Sequence, residues 1–369
     1  MHTLYLLISL IFTYNISANE ISDIQHSYEI DYIQQLQESD LISSNSPYYG
    51  GYNKLIDYVI PAPYQENAGS CLYMSHTGVI EWWLNKRAKN KTRIDLSERY
   101  YMSLKTNRVN QENIDNWRTD NIQRLNKYSK MMLNDHYPFT KSYFKKIKGK
   151  RVSTTKADPE AKYGTRYNWI DRTTKKEKSK LFSIPKFERK VLFADPKKNQ
   201  WNVAVAPLDI SKRIKNALIQ NESPVLVIYN HKGFWHANYI YGFNDNINHN
   251  CPYVRSFPIR MKEKAQEFEE LAYKTDSSKR KNSLLKKAKK YRNKAQKVEE
   301  RFNKIGCSKK GAFYVRDSIY PNEKMPLYTY ATQNNEDDQH LNSALILREY
   351  EWATTTLNHA IQIYPIKDN

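Results

Sequence analysis

Hydrophobic positions along the chain recur at helical spacing first and at strand spacing later. Met74, Val79, Trp82 and Trp83, with polar residues between them, predict an amphipathic helix that opens at Cys71 and runs to about Lys86. Ser97 ahead of Glu98 reads as the N-cap of a second helix. Ile114, Trp117, Leu125, Tyr128 and Met132 continue the helical spacing, and the basic, polar stretch 138–185 predicts loops with short strands. The period then changes. Residues 201–206 alternate as a half-buried strand should, 209–220 fit a short helix, 224–229 form a β-branched run, and alternation resumes over 234–243. The apolar run 345–364 predicts closing strands. Helices first and strands later predict an α+β chain of two lobes with a cleft between them.

A second helical signal interrupts the strands. Met261, Ala265, Phe268 and Ala272 step by four, three and four. Leu284, Ala288, Tyr291, Ala295, Val298, Phe302 and Ile305 step likewise, with a polar turn at 275–278 between the two stripes and a stop at Gly306. This predicts an antiparallel helical hairpin over 252–306. Cys251 and Cys307 bracket it. A disulfide there would clasp its base and stabilise the fold by about 4 kcal/mol; two buried free thiols are the alternative.

Composition narrows the class. Hydrophobic content of 40% and 29 Tyr exclude a disordered chain. The net charge of +20 comes from dispersed Lys, without interleaved Gly/aromatic nucleic-acid motifs, so no specific nucleic acid is expected. A solvated Lys-rich surface is the plain reading, with an anionic surface as a second partner class for the basic hairpin. The apolar run 4–14, ending at Ile16-Ser17-Ala18, reads as a signal peptide over 1–18, short for a membrane span; an uncleaved anchor is the alternative. A short arm over 19–50 and a main domain over 51–369 follow, and the expectation is an exported (secreted or periplasmic) monomer. Export gives the three cysteines a meaning: two pair, and Cys71 is left as a candidate reactive thiol.

Gln65 stands six residues before Cys71, a Gly69-Ser70 turn delivers the thiol, and a helix N-terminus favours thiolate. The run Gln65-Glu-Asn-Ala-Gly-Ser-Cys71 resembles the catalytic-cysteine motif of papain-like cysteine peptidases. Leu96-Ser97-Glu98 resembles the segment that follows that family's catalytic helix. Pro224-Val225, His236-Ala237 and Tyr241-Gly242 resemble the strands that carry its histidine, at a Cys-to-His separation near the family's roughly 130–150 residues. Asp317-Ser318-Ile319 resembles its Asn-Ser-Trp motif, with Asp for Asn and Ile for Trp.

The resemblance implies a papain-like two-lobed fold, with the hairpin as an insertion, and hydrolysis of a protein or peptide substrate. Cys71 would be the nucleophile, His236 the base and then acid, Asp317 the orienter of His236, and Gln65 with the Cys71 N–H the oxyanion site. No metal or cofactor is implied. Three departures stand out. Leu72 follows the nucleophile where the family has Trp, Ile319 would leave the His236–Asp317 bond more open to water, and the family's half-cystines around the nucleophile are absent. Two other classes stay open: a catalytically degenerate member that binds or adheres through its basic hairpin, and an amidase acting on a non-protein amide. His76 is expected to pack within its helix, and Tyr73 and Trp235 to line the cleft.

Overall fold

The central helix α1 (Cys71–Ala88) departs from the amphipathic reading of its sequence, since Cys71 through Trp82 are all buried. These coordinates come from a computed structural model, which describes residues 50–60, 62–63, 65, 70–88, 94–103, 125–127, 129–137, 139, 143–148, 150–154, 157, 159, 162–163, 179–195, 202–319 and 345–366. The expected signal peptide and nearly all of the arm lie outside these residues, as do Ile114, Trp117, Tyr128 and Trp201. A helix enclosed on every side loses its apolar period, and its polar groups must find partners inside the protein. Glu81 accepts the Leu96 N–H (2.8 Å), Asn85 accepts the Ile94 N–H (2.6 Å), and the Trp82 indole donates to the Leu55 carbonyl (2.9 Å).

Helix α2 (Glu98–Ser103) starts where the N-cap reading places it, with Ser97 Oγ accepting the Tyr100 N–H (2.9 Å). Residues 125–127 are helical as expected. Met132 is not part of that helix, because the chain has by then passed through a strand at Lys130–Met131.

Strands β1 (Gly51–Tyr52), β2 (Lys130–Met131), β3 (Tyr143–Ile147), β4 (Lys150–Thr154), β5 (Lys162–Tyr163) and β6 (Phe182–Ser183) are short. The main sheet is built from β7 (Phe187–Ala194), β8 (Val225–His231), β9 (Phe234–Asn248), β10 (Lys310–Arg316), β11 (Leu345–Glu349) and β12 (Leu357–Pro365), in the order β11-β10-β9-β8-β12-β7, with β1 added to β9. Its pairs are antiparallel. Every residue of β8 is buried, which explains why its apolar residues 225–229 run on without polar alternation. Helix α3 (Ile210–Asn221) precedes it as expected.

Residues 202–206 do not form the expected strand. Val203 and Ala206 are buried, but Ala204 turns to positive φ (58°) and its N–H donates to the Thr355 carbonyl (2.8 Å). Burial three residues apart follows this turn and not a strand's period of two. The run 345–364 gives strands as expected, but helix α6 (Tyr350–Thr356) lies between them. Its Thr355 and Thr356 hydroxyls donate back to the Glu351 and Trp352 carbonyls (both 2.7 Å). β11 lies at one edge of the sheet and β12 between β8 and β7, so the chain must cross over between them.

Helices α4 (Pro252–Tyr273) and α5 (Ser278–Ile305) pack as an antiparallel pair. The Lys262–Glu299 (2.5 Å) and Glu269–Arg292 (2.6 Å) ion pairs run in opposite chain directions. Met261, Ala265, Ala272, Leu284, Ala288, Ala295 and Val298 are buried along the predicted seam. A Cys251–Cys307 disulfide closes the base, with the two Cα atoms 6.0 Å apart. Among the described residues, no helix is long and apolar enough to cross a membrane.

Candidate active site

Helix α1 lies across β9, and its approach is set by a residue without a side chain. A Cβ on Gly78 would lie 2.5 Å from Arg316 Nη1 and 2.7 Å from the Tyr239 ring. Arg316 is the last residue of β10 and opposes Tyr239 on β9. From there it reaches across the helix, donating through Nη1 to the Met74 carbonyl (2.6 Å) and through Nε to the Ile60 carbonyl (2.6 Å). Its other nitrogen faces Glu81 (3.4 Å) and Glu98 (3.8 Å), both fully buried. Burial outweighs Arg316 at these carboxyls. It pushes Glu98 up to about 7 and Glu81 well above the usual carboxylate range.

The residue after this clamp is Asp317, which therefore has a fixed position. His236 sits near the start of β9, opposite Tyr229 on β8. Its Nε2–H donates to Asp317 Oδ1 at 2.6 Å, and neither side chain is accessible to solvent. Asp317 Oδ1 also accepts the Ile319 N–H (3.1 Å), while Oδ2 accepts from the Asn238 amide (3.2 Å) and the Tyr229 hydroxyl (3.4 Å). The buried Arg348 guanidinium stands 4.0 Å away. Burial raises the Asp317 carboxyl, but the His236 charge and hydrogen bond, with Arg348, bring it below the usual carboxylate range. Burial likewise opposes the imidazolium. Asp317 overcomes it and, with a hydrogen-bonding and Coulombic contribution from Cys71, pushes His236 up to about 10.

The His236–Asp317 bond is thus dry, against the expectation drawn from Ile319. Tyr229 takes over the shielding: its ring meets His236 edge-on at 5.4 Å and is backed by Trp352 at 5.0 Å. His231 and Phe234 add ring contacts at 5.6 and 6.4 Å. The other imidazole nitrogen, Nδ1, is buried without a well-aligned hydrogen-bond partner, and the Cys71 thiol is close enough to act on the ring.

Cys71 is the first residue of α1, is 8% exposed and is the free cysteine of the chain. Its carbonyl accepts the Ser75 hydroxyl (2.8 Å), and the Met74 N–H donates to the Ser70 carbonyl, which fixes the first turn. Gln65 is buried and doubly tied to Ser318, the residue after Asp317. Its N–H donates to the Ser318 carbonyl (2.8 Å), and its Oε1 accepts the Ser318 hydroxyl (2.5 Å). That hydroxyl fixes which way the amide turns, with Nε2 on the side opposite Ser318. The geometry therefore brings Cys71, His236 and Asp317 together and ties Gln65 to the same loop.

Tyr73 does not line a cleft. It is 1% exposed and packs edge-on against Tyr101 at 5.5 Å. Trp235 is half-buried beside His359. His76 packs as expected, 3.2 Å from the Tyr101 hydroxyl. Sequence reasoning missed Arg316, Tyr229, Asn238 and Arg348. Arg316 and Arg348 leave a readable signal, each as a charge directly after an apolar run, Ala312–Val315 and Leu345–Leu347.

No protein-family model matches the chain, and no curated protein matches it by sequence. Among solved structures it is similar to the cysteine protease and lectin-like domains of Cwp84, a surface layer associated protein of Clostridium difficile, at 14% identity and a TM-score of 0.39. That likeness covers 92% of this chain and 60% of the other, so this chain spans about three-fifths of its length. It is also similar to digestive procathepsin L 3 of Tenebrio molitor larval midgut, at 13% identity and a TM-score of 0.34, covering 64% of this chain and 76% of that one. At such values neither likeness bears on the role of any residue, so what the site can do rests on its own geometry: a thiol at a helix start beside a buried imidazole and carboxylate.

Proposed function

We propose that the chain is a cysteine peptidase of papain-like design, two lobes with the α4–α5 hairpin inserted between the histidine and aspartate strands. The observation that carries the reading is the dry His236–Asp317 pair acting on a thiol at a helix N-terminus. In this reading Cys71 and His236 form a thiolate–imidazolium pair in the resting site. The thiolate attacks the scissile carbonyl, and electrons pass to the carbonyl oxygen, which the Cys71 N–H and the Gln65 amide stabilise. His236 gives its proton to the leaving amine, then takes one from water as water attacks the thioester, which regenerates the thiolate. Asp317 holds the ring and its charge. Ser318 is a positioning residue that acts through Gln65. The substrate is a protein or peptide, and the expected setting is outside the cytoplasm.

An epoxide-type cysteine-peptidase inhibitor tests this on reduced, folded protein. Covalent modification confined to Cys71, together with loss of peptide cleavage, is expected. Failure to modify Cys71 would refute the reading.

A second role is favoured by the hairpin tip, where Leu271 and Tyr273 are 49% and 77% exposed beside Lys274, Lys279, Arg280 and Lys281. Exposed apolar groups ringed by cations suit docking to an anionic surface. Co-sedimentation with anionic but not neutral vesicles, lost on Tyr273→Ser, is the expected result; equal sedimentation of the variant would overturn it.

A further inference from the structure

The base of the helical hairpin holds a third potential ligand beside its two sulfurs. His249 follows β9 directly, its side chain is inaccessible to solvent, and its Nδ1 lies 3.6 Å from Cys251 Sγ and 3.8 Å from Cys307 Sγ. Nε2–H donates to the Gly311 carbonyl (3.0 Å), which leaves the ring's one lone pair on Nδ1; it accepts the Cys251 N–H (3.2 Å), a bond that a metal at Nδ1 would displace. We propose that His249, Cys251 and Cys307 form a binding site for a thiophilic divalent cation, zinc above all, that replaces the disulfide when the pair is reduced.

Four observations support this. Zinc bonds of about 2.3 Å to sulfur and 2.0–2.1 Å to nitrogen, set tetrahedrally, place a sulfur and a nitrogen ligand about 3.6 Å apart, which matches both sulfur–nitrogen distances, while the two sulfurs, bonded here, would part to about 3.8 Å on reduction. A ligating histidine is ordinarily oriented by a carbonyl or carboxylate on its other nitrogen, and Gly311 already does this for His249. The Glu351 carboxylate stands 4.0 Å behind the same nitrogen, a negative charge on the side of the ring away from the sulfurs. Finally, Cys251 is buried while Cys307 is partly exposed, so water can enter from the Cys307 side as fourth ligand.

The exchange balances. A dithiol reductant gives two electrons and two protons to the disulfide and leaves as its own disulfide. The two cysteine thiols then lose those protons to solvent as Zn²⁺ binds. The hairpin root would therefore be clasped in both oxidising and reducing surroundings, by a covalent bond in one and a metal in the other.

The test uses the full chain carrying Cys71→Ser, reduced with a phosphine, desalted, and titrated with Zn²⁺ against a chromophoric chelator. One Zn²⁺ per reduced chain and none per oxidised chain are expected. Cobalt should give the visible bands of a tetrahedral thiolate site. His249→Ala and Cys307→Ser should each weaken binding about tenfold or more. A reduced chain that keeps its near-ultraviolet circular dichroism yet takes up no zinc would overturn the proposal, as would unchanged affinity in His249→Ala. Where reduction itself unfolds the chain, restoration of the native spectrum by zinc supports the site, and failure to restore it overturns the site.

Discussion

Replacing Asp317 with Asn is the perturbation that separates a working charge pair from a packed histidine. The resemblance puts an asparagine at this position, and the two side chains have the same shape. Here, however, the surroundings are built for an anion. Oδ2 faces the donor groups of Asn238 (3.2 Å) and Tyr229 (3.4 Å) and the Arg348 guanidinium (4.0 Å). An amide NH₂ in that place would set donor against donor and take away a negative charge beside the buried Arg348. Removing one member of a buried ion pair costs about 3–5 kcal/mol.

The effect on His236 is larger in kind. Its rise from 6.5 to about 10 is worth roughly 5 kcal/mol of preference for imidazolium, and Asp317 supplies most of it. In Asp317→Asn, burial acts almost unopposed, so His236 should lose its proton near or below pH 6.5 instead of near 10. The assay is the rate of Cys71 alkylation by a neutral haloacetamide across pH, read beside the pH profile of peptide cleavage and urea unfolding. Wild-type protein should keep the His236 charge beside Cys71 until His236 deprotonates near pH 10. The variant should lose it about three units earlier. Because the folded-state pKa of His236 is raised, its stabilising contribution is full below about pH 6.5 and vanishes as pH climbs through about 10. A basic limb that stays within about one unit of wild type in the folded variant would refute the reasoning.

Arg316→Met should destabilise the fold by about 3–5 kcal/mol above pH 7, where ionised Glu98 loses its cation in the interior and the Met74 and Ile60 carbonyls lose their donor. The loss should shrink in mild acid, where both carboxyls are protonated, as urea unfolding at two pH values would show. Gly78→Ala raises helix propensity by about 1 kcal/mol, yet its Cβ would meet Arg316 and Tyr239 at 2.5–2.7 Å, so a lower melting temperature is expected. Ser318→Ala frees the Gln65 amide from its anchor and should lower kcat with KM little changed, a split that steady-state kinetics reads directly. Cys251→Ser with Cys307→Ser should cost about 4 kcal/mol of stability in oxidised protein, measured by denaturant unfolding.

Local features were legible in the sequence because short-range chemistry makes them. The a/d stripes of α4 and α5, the Ser97 cap, the Gly306 stop and the apolar run 225–229 of β8 each follow from residues a few positions apart. The Gln65-to-Cys71 run and the Asp317-Ser318 step were readable in the same way. What the sequence could not give is any fact that depends on two distant segments meeting. The burial of α1 on every face, the irregular path at 202–206 and the helix that divides 345–364 arise from neighbours that no local pattern encodes. The dryness of the His236–Asp317 bond belongs with them. It depends on Tyr229, Trp352 and Arg348, which only the sheet order β11-β10-β9-β8-β12 brings around one carboxylate. Burial and countercharge set the protonation of these groups, and both are properties of the assembled sheet rather than of the residues taken in order.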